Sequence, residues 1–274
     1  MSNPSLERKA THKNLLMQLA WVISDIGVLT KRNLLRYVRL PQLLIFSTLQ
    51  PVLFVLLLAF VFGGAIDTSG VNYVNYLIPG ILVQTVLIGA SQTTVGLAED
   101  LSKGVIDRFR SLPMARSAVL AGRTLADSTR NLFVVLLVVG VGTLIGFRFQ
   151  GGLLAAIGAV LLVVLFGYAF SWISAYIGLL VKDPEAASVA GNVWVFPLIF
   201  ASSVFVPTET MPDWLQTFAN VQPISLTADA VRYLTSGGLA PGVDPAAVWQ
   251  TIGWMLGILL VFVPLAVRQY RRNA

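Results

Sequence analysis

Cysteine is absent from the 274 residues, and histidine occurs once, as His12 in the polar N-terminal stretch. Without thiols there is no disulfide framework, no cysteine-ligated metal and no thiol nucleophile. No GxxxxGK[ST] phosphate loop, HExxH zinc site or Ser/His pairing occurs either, so neither ATP hydrolysis nor peptide hydrolysis is assigned to this chain. Charge is the next scarcity: 12% of residues are charged, where a soluble domain carries about 25%. So little charge cannot cover a water-facing surface, and with 56% hydrophobic residues and a mean hydropathy of +0.77 it excludes a soluble globule and a disordered chain. The composition predicts an all-α integral membrane protein with a single membrane domain.

A helix crossing the hydrocarbon needs roughly 20 apolar residues, so the intervals between charges locate the spans. Six emerge. Leu40 to Ile66 is uncharged and gives span one, about 43–65. Thr68 to Ala98 gives span two, about 75–98. Asn131 to Phe147 is shorter, so span three is expected to start near Thr124, with Asp127 and Arg130 close to the interface. Phe149 to Val181 holds span four, Ala186 to Thr208 span five and Pro245 to Val267 span six. The first forty residues are polar and basic without a cleavable apolar core, so no signal peptide is expected.

The net charge of +6 and isoelectric point near 9.8 describe topology rather than nucleic-acid binding. Of the 19 basic residues, all but Arg148 and Arg232 fall on one side of the proposed spans. Basic residues are retained on the cytoplasmic side, so both termini are expected there, in a multi-pass protein of the cell membrane. The expected division is a cytoplasmic tail with an interfacial helix (1–42), a membrane domain (43–268) and a C-terminal tail (269–274).

Three segments are neither spans nor plain loops. From Leu16 to Arg39, Leu16, Leu19, Val22, Ile23, Ile26, Leu34 and Tyr37 share one arc, and Asp25, Arg32, Arg36 and Arg39 share the other. This pattern predicts an amphipathic helix lying in the cytoplasmic interface against anionic lipid. Between spans two and three, Val105, Ile106, Phe109 and Leu112 recur at helical spacing, opened by Gly104 and closed by Pro113. So short an apolar-faced helix needs a docking partner, either this chain's own cytoplasmic ends or a separate cytosolic subunit. Between spans five and six, Pro212 precedes Trp214, Leu215 and Phe218, and Pro223 opens a second apolar stretch reaching Tyr233. Two short external helices are expected within 207–236, dipping into the membrane with Trp214 and Tyr233 as interface anchors.

Within the spans, Thr85, Gly89, Gln92 and Gly96 share one face of span two, and Gly167, Ser171 and Ala175 one face of span four. Small and polar residues at this spacing mark close helix packing or a substrate path. Pro51, Pro79, Pro197 and Pro264 can kink their helices. No acidic, basic or histidine residue stands in the middle of a span, where an ion-driven transporter holds its coupling ion. Asp127, with Arg123 four residues before and Arg130 three residues after, is expected as an interfacial charge cluster rather than a proton relay. The scarcity of chemistry implies a passive conduit whose energy comes from elsewhere.

The cytoplasmic stretch 99–123 begins with Glu99 and Asp100, carries Asp107, Arg108, Phe109 and Arg110 in its middle and closes its helix with Leu112 and Pro113. It resembles the hallmark segment of ABC-2 type permeases, closest to the daunorubicin-resistance type exporters of actinobacteria. Residues 211–234 resemble the same family, and the amphipathic N-terminus and six spans match it in order. One departure is Val221-Gln222-Pro223, where many relatives have Asn before the proline.

The resemblance implies the ABC-2 (type V exporter) permease fold. It further implies that two permease chains, identical or different, pair and bind two copies of a separate cytosolic ABC ATPase. ATP and Mg would sit on that ATPase, and no cofactor on this chain. Gly104, Val105, Ile106, Arg108, Phe109, Leu112 and Pro113 would form the coupling helix within a coupling segment 99–122, seated in a groove of the ATPase, with Glu99 and Asp100 as a helix-end motif. The cargo implied is a hydrophobic or amphipathic small molecule, a drug or a lipid, with membrane lipid as a further partner. Two rivals are a permease for lipid-linked polysaccharide and a membrane-embedded enzyme or scaffold of lipid metabolism. The first wants aromatic and acidic sugar-binding residues along the spans, and the second clustered catalytic carboxylates, for which Glu99 and Asp100 are the one candidate.

Overall fold

A computed structural model describes residues 4–39, 41–63, 72–106, 116–181, 183–239 and 243–272, without the side chains of 4–20, 41, 43, 62 and 116. Its regular elements are all helical: α1 (Pro4–Arg39), α2 (Pro41–Phe62), α3 (Tyr73–Ser102), α4 (Arg116–Leu144), α5 (Gly152–Leu180), α6 (Pro184–Asn192), α7 (Val195–Phe200), a 3-10 turn (Thr208–Thr210), α8 (Asp213–Val221), α9 (Pro223–Ser236) and α10 (Ala246–Arg272). Five of them, α2, α3, α4, α5 and α10, are long and apolar enough to cross a membrane.

The core is built around α3, whose residues from Leu77 to Leu87 are buried against Val134, Val135 and Val138 of α4, Phe166 and Phe170 of α5 and Val231 of α9. Small residues allow the close approach. A Cβ on Gly167 of α5 would press into the Val86 side chain, and one on Gly178 into the Thr94 backbone of α3. Ser171 and Ala175, on the same face as Gly167, are also buried. By contrast α2 is peripheral: among its described side chains Val55 alone is buried, and Phe46, Leu53, Leu57 and Phe60 are exposed.

Residues 186–208 form no single helix. Pro197 has no amide to donate to the Val193 carbonyl, and its ring crowds that carbonyl; the helix breaks at Val193–Trp194, between α6 and α7. The carbonyls freed at the end of α7 are taken up from another segment, since Gln222 Nε2 donates to those of Leu198 and Ala201. Gln222, the position that departs from the family pattern, thus caps a helix distant in sequence. Beyond it, α9 starts at Pro223 and ends at Gly237, whose φ of 67° allows the backbone to turn off the helix.

The amphipathic N-terminal segment is longer than the sequence pattern indicates and packs on α4, where Gly122 lets Leu29 approach. Its basic arc, expected to face lipid headgroups, turns Arg32 and Arg36 toward Asp100 and Glu99 of α3. A nearby carboxylate pair in a partly buried site is a stronger attractor than a solvated phosphate surface.

Candidate functional site

Two acidic side chains end α3, and basic residues from three directions converge on them. Glu99 accepts from Arg36 Nη2 at 2.8 Å and Lys103 Nζ at 3.1 Å. Asp100 accepts from Arg123 Nη1 at 3.3 Å and lies 4.0 Å from Arg32 Nη2. Deeper along the same helices Asp127 is 1% exposed. It accepts from Thr93 Oγ1 and from the Tyr37 hydroxyl, each at 2.7 Å, and pairs with Arg123 Nε at 3.5 Å. Arg130 Nη2 donates to the Gly89 carbonyl at 2.8 Å and to Asn131 Oδ1 at 3.2 Å, and its Nη1 reaches the Tyr37 oxygen at 3.4 Å.

Arg123, Asp127 and Arg130 therefore lie buried inside the protein, one turn apart on α4, and they join α1, α3 and α4. A buried charge is tolerated only when paired and hydrogen-bonded, and Asp127 has two donors and a guanidinium. Burial, with the Asp127 carboxylate beside it, pushes the Tyr37 phenol up to about 12. The phenol keeps its proton at physiological pH and donates it to Asp127. Sequence spacing alone pairs Asp127 with its own helix; Tyr37 and Thr93 escape it, because nothing in their local pattern marks them.

The residues singled out on α3 have distinct roles here. A Cβ on Gly96 would collide with the Arg123 guanidinium, and one on Gly89 with the Asn131 side chain. Both glycines are seats for α4 side chains. Thr85 returns its hydroxyl to the Ile81 carbonyl of its own helix at 2.7 Å, and Gln92 is exposed. All four line one open cavity of about 330 Å³ between α1, α2, α3 and α4, whose walls also include Arg36, Glu99, Arg123 and Arg130. Sequence reasoning missed Gln50 and Gln84, which line it as well; a glutamine within an apolar run carries no periodic signal.

At the start of the segment after α3, Gly104 takes φ 64° and turns the chain. Val105 is half-buried. Ile106 is 2% exposed and packs into this chain's own bundle with Leu29, Leu97, Leu120 and Tyr270. Arg108, Phe109, Leu112 and Pro113 lie outside the described residues.

A second polar cluster, at the opposite end of α3, centres on Arg232. Its Nε donates to the Tyr76 carbonyl at 3.1 Å, its Nη1 to Asp229 Oδ1 at 2.6 Å and Ser203 Oγ at 3.0 Å, and its Nη2 to the Ser203 carbonyl at 2.7 Å. The Tyr76 hydroxyl donates to the same Ser203 carbonyl at 2.8 Å. These bonds hold the irregular stretch after α7 against α3 and α9. The sequence marks Arg232 only as one of two basic residues on its side.

Known proteins share this chain's pattern. Residues 24–235 match the family described as ABC-2 type transporter. The chain is 37% identical over 246 residues to the daunorubicin resistance ABC transporter permease protein DrrB1 of Streptomyces coeruleorubidus, covering 88% of this chain and 84% of that protein. It is 29% identical over 245 residues to the probable doxorubicin resistance ABC transporter permease protein DrrC of Mycobacterium tuberculosis (89% and 87% covered). It is 26% identical over 243 residues to the putative transport permease ycf38 of Cyanophora paradoxa (86% and 82% covered). A helical membrane bundle with a segment of basic sequence after α3, matched over most of its length by such permeases, belongs to the ABC-2 type transporter family and is the membrane permease subunit of an ABC exporter, associating with an ABC ATPase and a partner permease.

Proposed function

We propose that this permease exports hydrophobic or amphipathic small molecules, with two permease chains bound by two copies of a cytosolic ATPase that holds ATP and Mg. The observation that carries this reading is the acidic pair ending α3. Glu99 bonded to Arg36 and Asp100 bonded to Arg123 tie α1, α3 and α4 together immediately before Gly104. A push on the segment beginning there moves three helices as one lever. Gly104 to Pro113 is the coupling helix in this reading, with Ile106 as its anchor on the permease and Phe109 and Leu112 facing the ATPase. Relatives named for daunorubicin and doxorubicin resistance support a drug-like cargo, and a lipid is the other amphiphile within this reading.

The reading has six spans, a cytoplasmic tail and interfacial helix over 1–42, a membrane domain over 43–268 and a C-terminal tail over 269–274. Supporting a sixth span, the broken α6–α7 stretch follows α3: Gly191 abuts Thr94, and the Val204 carbonyl abuts Gly80. At 1.5 Å per residue that run of α3 is about 20 Å. Both termini are cytoplasmic in this reading, and α8 and α9 lie toward the outside. The absence of cysteine makes orientation directly measurable. Single cysteines placed at Ser5 and Arg272 should resist an impermeant maleimide in intact cells and react after permeabilisation.

Co-expression with the cognate ATPase tests the coupling assignment. Phe109→Asp should abolish both ATPase co-purification and export of a fluorescent drug. Association and export at wild-type levels in that variant would sink it.

A further inference from the structure

A buried charge is tolerated when a counter-charge answers it. Among the described residues, three guanidinium groups line the cavity between α1, α2, α3 and α4, those of Arg36, Arg123 and Arg130, and one carboxylate does, that of Glu99. Glu99 is already shared by Arg36 and Lys103, and Asp100 by Arg32 and Arg123. Asp127 pairs with Arg123. Arg130 is 7% exposed, and its hydrogen bonds go to neutral groups: the Gly89 carbonyl, Asn131 Oδ1 and the Tyr37 oxygen. Its Nε is buried without a partner, and it forms no ion pair among the described residues. Five basic groups thus meet three carboxylates, and Arg130 is the one left on neutral oxygens.

The surroundings select what supplies the missing charge. At helical spacing Phe46, Gln50, Leu53 and Leu57 share one face of α2. Phe46 and Gln50 line the cavity, and Leu53 and Leu57 continue that face as exposed apolar surface leading away from it. The volume, about 330 Å³, is at the lower end of small-molecule sites, about 300–1,000 Å³. It takes a headgroup and its glycerol but not two acyl chains, for which the outer face of α2 is the path. Gln50, Gln84 and Asn33 add carboxamides to the walls, each both donor and acceptor, and the Gln84 oxygen is buried without a partner.

We propose that this cavity holds the headgroup of an anionic phospholipid from the leaflet bordering Glu99 and Lys103, with its phosphodiester facing Arg130 and its acyl chains along α2. The lipid is a fixed ligand, independent of what the permease exports. It supplies the counter-charge that the protein withholds from Arg130, and it fastens the loosely packed α2 to the unit formed by α1, α3 and α4. A zwitterionic headgroup fits poorly, because its ammonium meets the same guanidinium groups, and free phosphate lacks the chains that α2 receives.

The test titrates dioctanoyl phosphatidylglycerol and dioctanoyl phosphatidylcholine onto the detergent-solubilised full chain and counts bound lipids by native mass spectrometry. One phosphatidylglycerol should bind about tenfold more tightly than phosphatidylcholine, the difference expected for a charge-assisted bond, and excess inorganic phosphate should not displace it. Arg130→Gln, which removes the unanswered charge, and Gln50→Glu, which puts a carboxylate on the cavity wall, should each abolish the preference. Gln50 is exposed, so Gln50→Glu decides the matter if Arg130→Gln fails to fold. Lys31→Gln removes an exposed charge of α1 outside the cavity and should leave the preference intact. Equal binding of the two lipids, a preference that survives Gln50→Glu, or an equal loss in Lys31→Gln would each overturn the proposal, and displacement by phosphate would reduce the site to one for a free ion. In vesicles with the cognate ATPase and ATP, labelled phosphatidylglycerol should stay in its leaflet; ATP-driven transfer would make it cargo and overturn the fixed role. Failure of ATPase association with lipid binding intact would overturn the exporter reading alone.

Discussion

Arg232 sits over the Tyr76 ring, its guanidinium carbon 3.6 Å from the ring centroid, while its Nε donates to the backbone carbonyl of the same tyrosine. The remaining donors of the fork reach Asp229 and Ser203. A planar guanidinium can satisfy these groups together, and an ammonium cannot. Arg232→Lys is therefore expected to destabilise the protein by about 2 kcal/mol or more, because it leaves carbonyls unpaired and removes the stacking on Tyr76. Thermal unfolding of the detergent-solubilised chain measures it; a melting temperature equal to wild type would show that the fork is dispensable.

At the other end of α3, Asp127 pairs with Arg123 Nε, the sole carboxylate to do so among the described residues, and accepts from both Tyr37 and Thr93. Asp127→Asn keeps the shape and removes the charge, leaving a buried guanidinium undercompensated. The expected loss is about 3 kcal/mol. Tyr37→Phe, which removes one donor and no charge, should lose only about 1 kcal/mol. The order of the two variants in a denaturation series is the check, and a Tyr37→Phe variant as unstable as Asp127→Asn would contradict the charge argument.

Tyr37 also sets an alkaline limit. Its phenol is raised from 10.0 to about 12 in the folded protein, so between those values the unfolded chain has released a proton that the folded chain retains. Stability from this group is complete below pH 10 and declines as the pH rises toward 12. Stability measured against pH should fall less steeply across that window in Tyr37→Phe than in wild type. Parallel curves would mean that the phenol titrates as in water.

How much of this was legible in the sequence follows from where the partners lie. The hydrocarbon imposes a length on every span, so uncharged intervals revealed α2, α3, α4, α5 and α10. Asp127 was visible with Arg123 and Arg130 because helical spacing joins them, but its donors Tyr37 and Thr93 stand 90 and 34 residues away, so its burial was not. Likewise Pro197 signalled a weak point in residues 186–208. How the run is finished at the far end of α7 was not legible, because the cap there is Gln222, 24 residues from Leu198. The glycine face of α3 was plain, whereas its reason, Arg123 and Asn131 reaching across from α4, required the packing.

That packing gives opposite outcomes for one substitution at two helical glycines. Replacing an exposed helical glycine by alanine stabilises by roughly 0.5–1 kcal/mol, because alanine loses less backbone freedom on folding. Gly140 of α4 is exposed, with nothing within 4 Å of an added Cβ, and Gly140→Ala should raise the melting temperature. Gly80 of α3 is buried, and an added Cβ would collide with the Val204 carbonyl oxygen, a backbone atom that already accepts from Arg232 at 3.4 Å. It cannot swing aside as a side-chain tip can; the chain after α7 must move away from α3, loosening the hold of Arg232 and Tyr76 on Ser203. Overpacking of this kind costs about 1–3 kcal/mol, so Gly80→Ala should lower the melting temperature despite the helix propensity it gains. Melting the two variants side by side settles it: a stabilising Gly80→Ala would mean that the stretch after α7 does not rest on α3.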